Sequence, residues 1–349
     1  MSESPVSCAC VLGGGAFGTA LGLILARKNA EVFVWVRSEE QANAVNAARE
    51  NTKYLSGTTL PPNLKFTSCV KQAAEGAEII VFAIPTQFLR PFLIDHRATF
   101  PVGVPMVQSA KGIELETLKT PFEIMQDELP GKYGKFLAVL AGPSFAKEMA
   151  NGLVTNVCIA APDRAVAMLV QGQMSCRASC FRCYASDDVM GCEVAGAVKN
   201  VMAIASGAAT GLGLGLNARA GMICRGLAEM SKLARAMGSN THALPGLAGV
   251  GDLLLTCSSE MSRNFSFGQR IAKGETMDQI LASVSSVAEG VATAASVFKL
   301  AQQLKVEMPI CTEVYKVLYE RKDVAEALMT LQDRPLGQEF LETPPVAGH

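Results

Sequence analysis

Histidine is scarce in this chain: three stand in 349 residues, at His96, His242 and His349, none beside another and none beside a cysteine pair. A zinc site draws on clustered His and Cys ligands, so no metal is expected. Charge is sparse too. Thirty-one Lys and Arg stand against 32 Asp and Glu, a formal net charge of −1, and charged residues make up only 18% of the sequence. Without a basic excess there is no polyanion-binding surface, which excludes nucleic acid as a partner. An anionic ligand must be met by a few placed cations. Uncharged apolar runs also fall short of the roughly 18 residues that span a bilayer; the most apolar region is interrupted by Glu193, Lys199, Asn200, Asn217 and Arg219. The opening MSESPVS lacks the basic and apolar regions of a secretory signal. A soluble protein with no membrane partner is expected, without internal repeats, low-complexity segments or a Pro/Gly/Ser linker.

What is abundant is apolar. Hydrophobic residues are 49% of the chain and mean hydropathy is +0.25, enough for a large core. The length exceeds the roughly 250–300 residues at which a single core stops growing, so two domains are expected. Eleven cysteines, an odd number with no secretory signal, read as reduced thiols. Among them Cys176, Cys180 and Cys183 stand in C-x3-C-x2-C spacing, which can hold an iron–sulfur cluster. Context argues against one, because Cys180–Ala185 reads as a strand and a strand sends Cys180 and Cys183 to opposite faces.

From Ser7 to about Asp187 short apolar runs alternate with helical patterns, the rhythm of a parallel α/β sheet. The runs at 7–12, 31–36, 78–85, 104–109, 136–143, 154–161 and 180–185 are predicted strands. Helical patterns follow at 189–208, 218–237, 277–284, 291–304 and 313–331. The fold class expected is α/β, a Rossmann-type doubly wound sheet over residues 1–188 followed by an all-helical domain over 189–349.

Gly13, Gly15 and Gly18 take G-x-G-x-x-G spacing between a predicted strand and a predicted helix, with a second strand directly after. In that context the three glycines serve a tight turn, the approach of a pyrophosphate and close helix–strand packing. The acidic residue that usually follows the second strand is replaced by Val36-Arg37-Ser38. Arg37 can sit beside a 2′-phosphate or stack on adenine, so the sequence leaves NAD and NADP open.

Lys199 lies in EVAGAVKNVMAIASG, a predicted helix apolar almost all round and therefore buried. A buried lysine is paired or working. Lys111 follows a predicted strand at the carboxyl edge of the sheet, where α/β folds bind ligands. Asp252 follows a glycine-rich turn at the start of a predicted buried helix, and Arg263 and Asn264 follow Ser262 at another helix start, suited to a phosphate. Glu289 lies in AEGVATA. Together these groups suit an anionic carbonyl substrate.

Taken in order, GGGAFGTAL, AIPTQFLR, AKGIE, LAGPSFAKE, GAVKNVMAIASG, GLGLNARA, GLAGVGDLLLTC, SRN and VAEGVATA resemble NAD(P)-dependent glycerol-3-phosphate dehydrogenase from Val11 to about Leu331. The pattern is nearest the bacterial-type branch that includes the glycosomal enzymes of trypanosomatids. The resemblance implies reversible hydride transfer between NAD(P)H and dihydroxyacetone phosphate, giving sn-glycerol 3-phosphate, with NAD preferred, no metal and a homodimer. It places the catalytic lysine on Lys199, oriented by Asp252, with Asn200 and Thr256 as polar neighbours. Substrate would be held by Lys111, Gly142, Ser144, Ser262, Arg263 and Asn264, the last two at its phosphate. Cofactor would meet Gly13, Gly15, Ala16, Phe17 and Gly18 at the pyrophosphate and Arg37 at the adenosine. Lys111 and Ala146 would lie near its nicotinamide, with Val287 and Glu289 on the far side, and Arg263 would also touch the cofactor. Related β-hydroxyacid or 6-phosphogluconate-type dehydrogenases are disfavoured by SRN and GPSFA, and a non-catalytic NAD(P) sensor by the presence of both Lys199 and Asp252. The closing AGH is not a peroxisomal tripeptide, so a cytoplasmic location is expected, with the glycosome as alternative.

Overall fold

A computed structural model describes residues 4–28, 30–283 and 289–339. Among them, strands β1 (Cys8–Leu12), β2 (Glu31–Trp35), β3 (Leu64–Thr67), β4 (Ile79–Phe82), β5 (Met106–Gln108), β6 (Leu137–Ala141), β7 (Thr155–Ala160) and β8 (Phe181–Ser186) form one sheet. Its order is β3-β2-β1-β4-β5-β6-β7-β8. Helices α1 (Ala16–Arg27), α2 (Glu39–Ala48), α3 (Val70–Ala74), α4 (Thr86–His96), α5 (Pro121–Glu128), α6 (Gly131–Gly134), α7 (Ala146–Ala150) and α8 (Arg164–Met174) connect the strands. All-helical structure follows: α9 (Val189–Gly211), α10 (Gly215–Ala236), α11 (Asp252–Ser258), α12 (Arg263–Ala272), α13 (Met277–Ser283), α14 (Glu289–Leu304), α15 (Pro309–Tyr319) and α16 (Val324–Gln332).

Strand order reverses at β1, which pairs with β2 on one side and β4 on the other. That reversal opens a crevice at the carboxyl ends of the two strands, the place where α/β sheets take ligands. β4 and β6 are buried along their whole length and β1 from Ala9 to Leu12, which is why they read as unbroken apolar runs.

Three features depart from the sequence expectation. β3 was not anticipated; LKFT is short, and exposed Lys65 interrupts it. The sheet is not wholly parallel, since β7 runs antiparallel to β6. Between them only the five-residue α7 forms, roughly 7 Å long, too short to carry the chain back along a strand. The segment carrying Gly142 and Ser144 therefore stays at the carboxyl edge. The third departure is the pattern at 313–331, which is two helices. α15 ends at Tyr319, Arg321 takes a left-handed φ of 57°, and Asp323 starts α16 by accepting hydrogen bonds from the Ala325 and Glu326 amides at 2.9 and 3.0 Å.

α9 belongs to both cores. Val189 and Cys192 pack with the sheet residues Phe82, Met106 and Val139, whereas Val194 through Ile204 pack with Leu233, Phe265 and Val297 of the helical half. With 23 residues and a mean hydropathy of 1.2 over its most apolar 18, α9 has the length and composition of a membrane span, yet 89% of that window is buried inside the fold. In its second half it meets α12 backbone to backbone. A Cβ on Gly207 would stand 1.9 Å from the Phe265 carbonyl oxygen, and one on Gly268 would stand 2.0 Å from that of Ile204.

Candidate active site

At the end of β1 the chain turns through Gly13 at φ +116°, where a Cβ would lie 2.5 Å from the Ala83 carbonyl oxygen. Gly18 packs so tightly on the same turn that a Cβ would lie 1.9 Å from the Gly13 oxygen. Gly15 is the opposite case: its missing side chain would meet nothing within 4 Å. It sits at the N-cap of α1 and offers no side-chain cap, so the first-turn amides of Ala16 and Phe17 face a cleared surface. This cradle, closed behind and open in front, fits the pyrophosphate of a dinucleotide. Asn51, which carries no signal in the sequence, braces it by donating to the Gly14 carbonyl at 3.0 Å and the Thr19 hydroxyl at 2.8 Å. Arg37 is exposed just beyond β2, and Ser38 caps α2 by accepting from the Gln41 amide at 3.2 Å.

Lys199 comes from the middle of α9 and is 6% exposed. Its Nζ donates to Asp252 Oδ1 at 2.5 Å and to Thr256 Oγ1 at 3.0 Å. Thr256 donates its own hydroxyl to the Asp252 carbonyl at 2.6 Å, which turns an oxygen lone pair toward the lysine. The second carboxylate oxygen of Asp252 takes Lys111 Nζ at 3.3 Å. One buried carboxylate therefore bridges two ammonium groups from distant parts of the chain. Lys111 Nζ also stands 5.4 Å from the Phe17 ring centroid, joining this cluster to the glycine turn. The sequence expectation that Lys199 is buried and Asp252 opens a helix agrees with this geometry. A π-helical turn over Leu247–Gly251 leads directly into Asp252, and such wide turns recur at functional sites.

Electrostatics follow from burial. Desolvation brings the Lys199 ammonium down to about 8; Asp252 opposes that shift and Lys111 reinforces it. Asp252 is held below the usual carboxylate range because its two lysines outweigh its desolvation. Burial raises the Glu289 carboxyl, against the pull of Arg263, Lys111 and Lys199.

Around the cluster, Ser144 donates to the Gly142 carbonyl at 2.8 Å, and Pro143 abuts the Gly251 position beside Asp252. Ser262 caps α12 by accepting from the Phe265 amide at 3.3 Å. Asn264 is buried and accepts from the Gly290 amide at 3.0 Å, and Gly290 in turn lies against the Asn200 backbone. Arg263 is exposed at the same helix start. Ala146 opens α7 and packs against the same core as Phe17. Arg37 is not brought to the lysine cluster, and Val287 lies outside the described residues. Cys180 precedes β8 at a left-handed φ of 49° and is exposed, while Cys176 and Cys183 are buried; among the described residues no cluster of His, Cys, Asp and Glu suits a metal.

Glu193 carries the same signal in sequence as Lys199, a charge in an apolar helix. Its carboxylate accepts from Gln108 at the end of β5, and burial pushes its pKa up to about 8. The pair ties α9 to the strand that leads to Lys111. The cluster is separate from a cavity of about 500 Å³ lined by Phe298, Met308, Glu313 and Leu331 in the helical half.

Residues 8–167 match the family described as NAD-dependent glycerol-3-phosphate dehydrogenase N-terminus, and residues 188–329 match its C-terminus. A glycosomal glycerol-3-phosphate dehydrogenase [NAD(+)] of Leishmania mexicana is 49% identical over 338 residues, 95% of this chain and 92% of that one. A glycerol-3-phosphate dehydrogenase [NAD(P)+] of Anaeromyxobacter dehalogenans is 46% identical over 330 residues, 94% and 99% of the two chains. The crystal structure of glycerol-3-phosphate dehydrogenase from Coxiella burnetii superposes with a TM-score of 0.88 at 33% identity, covering 94% of this chain and 99% of that one.

Proposed function

Because this chain belongs to the NAD-dependent glycerol-3-phosphate dehydrogenase family, as an NAD(P)-dependent oxidoreductase, we propose that it interconverts dihydroxyacetone phosphate and sn-glycerol 3-phosphate with Lys199 as proton donor and acceptor. The observation that carries this reading is the buried Lys199 ammonium held by Asp252 and Thr256. Of its three N–H donors two are taken, and the third is left for a substrate oxygen. A lysine at its ordinary pKa regains protons easily but releases them poorly at neutral pH; one near 8 does both. A bound nicotinamide supplies or accepts the hydride at the carbonyl carbon. Lys199 protonates the oxygen as charge develops there, and Asp252 keeps Lys199 and Lys111 on opposite edges of one carboxylate. Arg263 and Asn264 hold the phosphate at the start of α12, Asn264 through its amide nitrogen, with Ser262, Ser144 and Gly142 beside them. Gly13, Gly15, Ala16, Phe17 and Gly18 hold the pyrophosphate, Arg37 the adenosine, and Ala146 and Glu289 flank the nicotinamide half. NAD is preferred over NADP.

Loss of reduced-nicotinamide absorbance with dihydroxyacetone phosphate tests the reading, run with NADH and with NADPH. Turnover favouring NADH is expected; protein that binds the cofactor and turns over nothing overturns it. pH supplies a second check. Reduction needs charged Lys199, so kcat/KM for dihydroxyacetone phosphate should fall as pH rises through about 8, and that for glycerol 3-phosphate oxidation should rise through the same range. Asp252→Asn removes the charge that opposes desolvation, so the reduction limb should move to lower pH and kcat at neutral pH should drop by about 10- to 100-fold. An unmoved limb would remove Asp252 from the assignment.

A homodimer is part of the same proposal, supported by exposed apolar Leu216, Leu254 and Met261 on the helical half and measured by light scattering. Cytosolic residence is another part; relatives named as glycosomal make cell fractionation its test.

A further inference from the structure

Cys158 in β7 and Cys192 in the first turn of α9 bring their sulfur atoms to 3.8 Å. Both are buried in the core that the sheet shares with α9, and the reaction above uses neither. They join the sheet to the helix that carries Lys199. We propose that Cys158 and Cys192 form a peroxide-responsive modification site, in which oxidation closes a disulfide between them and ties α9 to β7.

The chemistry needs only a hydroperoxide as oxidant. The Cys158 thiolate, the more accessible partner at 8% exposure against 1%, attacks one peroxide oxygen and breaks the O–O bond. Cys158 becomes a sulfenic acid, and the displaced hydroxide leaves as water with the proton the thiol gave up. Cys192 sulfur then attacks the Cys158 sulfur, the S–O bond breaks, and hydroxide leaves with the Cys192 proton as a second water. Two thiols lose two electrons and two protons, and hydrogen peroxide is reduced to two waters.

Hydrogen bonding from Cys192 lowers the Cys158 thiol below its ordinary value, whereas burial pushes Cys183 and Cys257 up to about 12. The selectivity is thus local, since thiolate character governs the first step. A disulfide bond is about 2.05 Å long, so the sulfurs must approach by roughly 1.8 Å. Cys192 precedes Lys199 by seven residues, about two turns of one continuous helix, so drawing its start toward β7 moves the lysine.

The full chain is treated with hydrogen peroxide, free thiols are blocked with iodoacetamide, and the digest is mapped by mass spectrometry. A Cys158–Cys192 peptide two hydrogens lighter than its parts, absent after dithiothreitol, is expected. Dehydrogenase turnover should fall by about tenfold or more and return on reduction, as a shift near 1 Å at a reacting group implies. C158A and C192A should keep wild-type turnover before treatment and lose the oxidative inactivation. Absence of the linked peptide overturns the site, and that mapping on the wild-type chain stands even where a variant fails to fold. Equal inactivation in wild type and both variants overturns it as well. The effect on turnover rests on the proposed function, whereas the disulfide does not. A linked peptide in a chain that never reduces dihydroxyacetone phosphate supports the site and overturns the dehydrogenase reading instead.

Discussion

Lys199→Ala should lower kcat for dihydroxyacetone phosphate reduction by about 10³-fold, within the range that general acid catalysis contributes, and leave cofactor affinity nearly unchanged. The expectation follows from geometry. Lys199 donates to Asp252 and Thr256, whereas the cofactor cradle stands on Gly13, Gly15 and Gly18. The fold should survive. Removing one partner of a buried ion pair is costly when it strands the other, about 3–5 kcal/mol, but Asp252 keeps Lys111. kcat and kcat/KM should therefore fall together, the signature of an interaction made in the transition state. Steady-state kinetics beside a cofactor titration measures both. If Lys199→Ala retains a tenth of wild-type turnover, the acid is elsewhere, and Lys111 on the other edge of the carboxylate becomes the first group to replace.

The largest stability loss is expected from Gly207→Ala. The added carbon would stand 1.9 Å from a backbone oxygen of α12, which no rotamer change relieves. Either α9 or α12 must shift by more than 1 Å at a crossing where Gly268 makes the reciprocal contact. Overpacking of this kind costs about 1–3 kcal/mol and occasionally more. With backbone on both sides we expect about 3 kcal/mol, a fall in Tm of roughly 4 °C if all 349 residues unfold as one unit. Alanine is intrinsically the better helix former by about 1 kcal/mol, so an unchanged Tm would mean the helices do not touch here. Thermal unfolding followed by circular dichroism decides it.

Local chemistry was legible from sequence and long-range geometry was not. Strand, glycine turn and helix lie within 30 residues, so spacing alone placed Gly13, Gly15 and Gly18. Lys199 announced itself because a charge in an apolar helix is expensive. Glu193 sent the same signal, but only the fold shows Gln108 as its partner. Asn51 gave no signal at all, since a buried asparagine between polar neighbours looks like any loop residue. Lys111 and Asp252 are 141 residues apart, and no periodicity could say that one carboxylate would serve both lysines. The reversal of β7 turned on the length of α7, which the helical pattern left undefined. Catalytic roles and the substrate and nicotinamide contacts came from resemblance rather than from spacing.

α9 has a mechanical consequence. Its first turns are set in the core beneath the sheet and the rest in the helical core, with no flexible joint between. A chain whose halves were joined by a loop could open as two rigid bodies on a hinge. Here any opening must bend a 23-residue helix, or slide it, at the stretch that carries Lys199. Loosening one half strips packing from the other, so the two should melt in a single calorimetric transition. The acid–base group sits on the beam that makes them one cooperative unit.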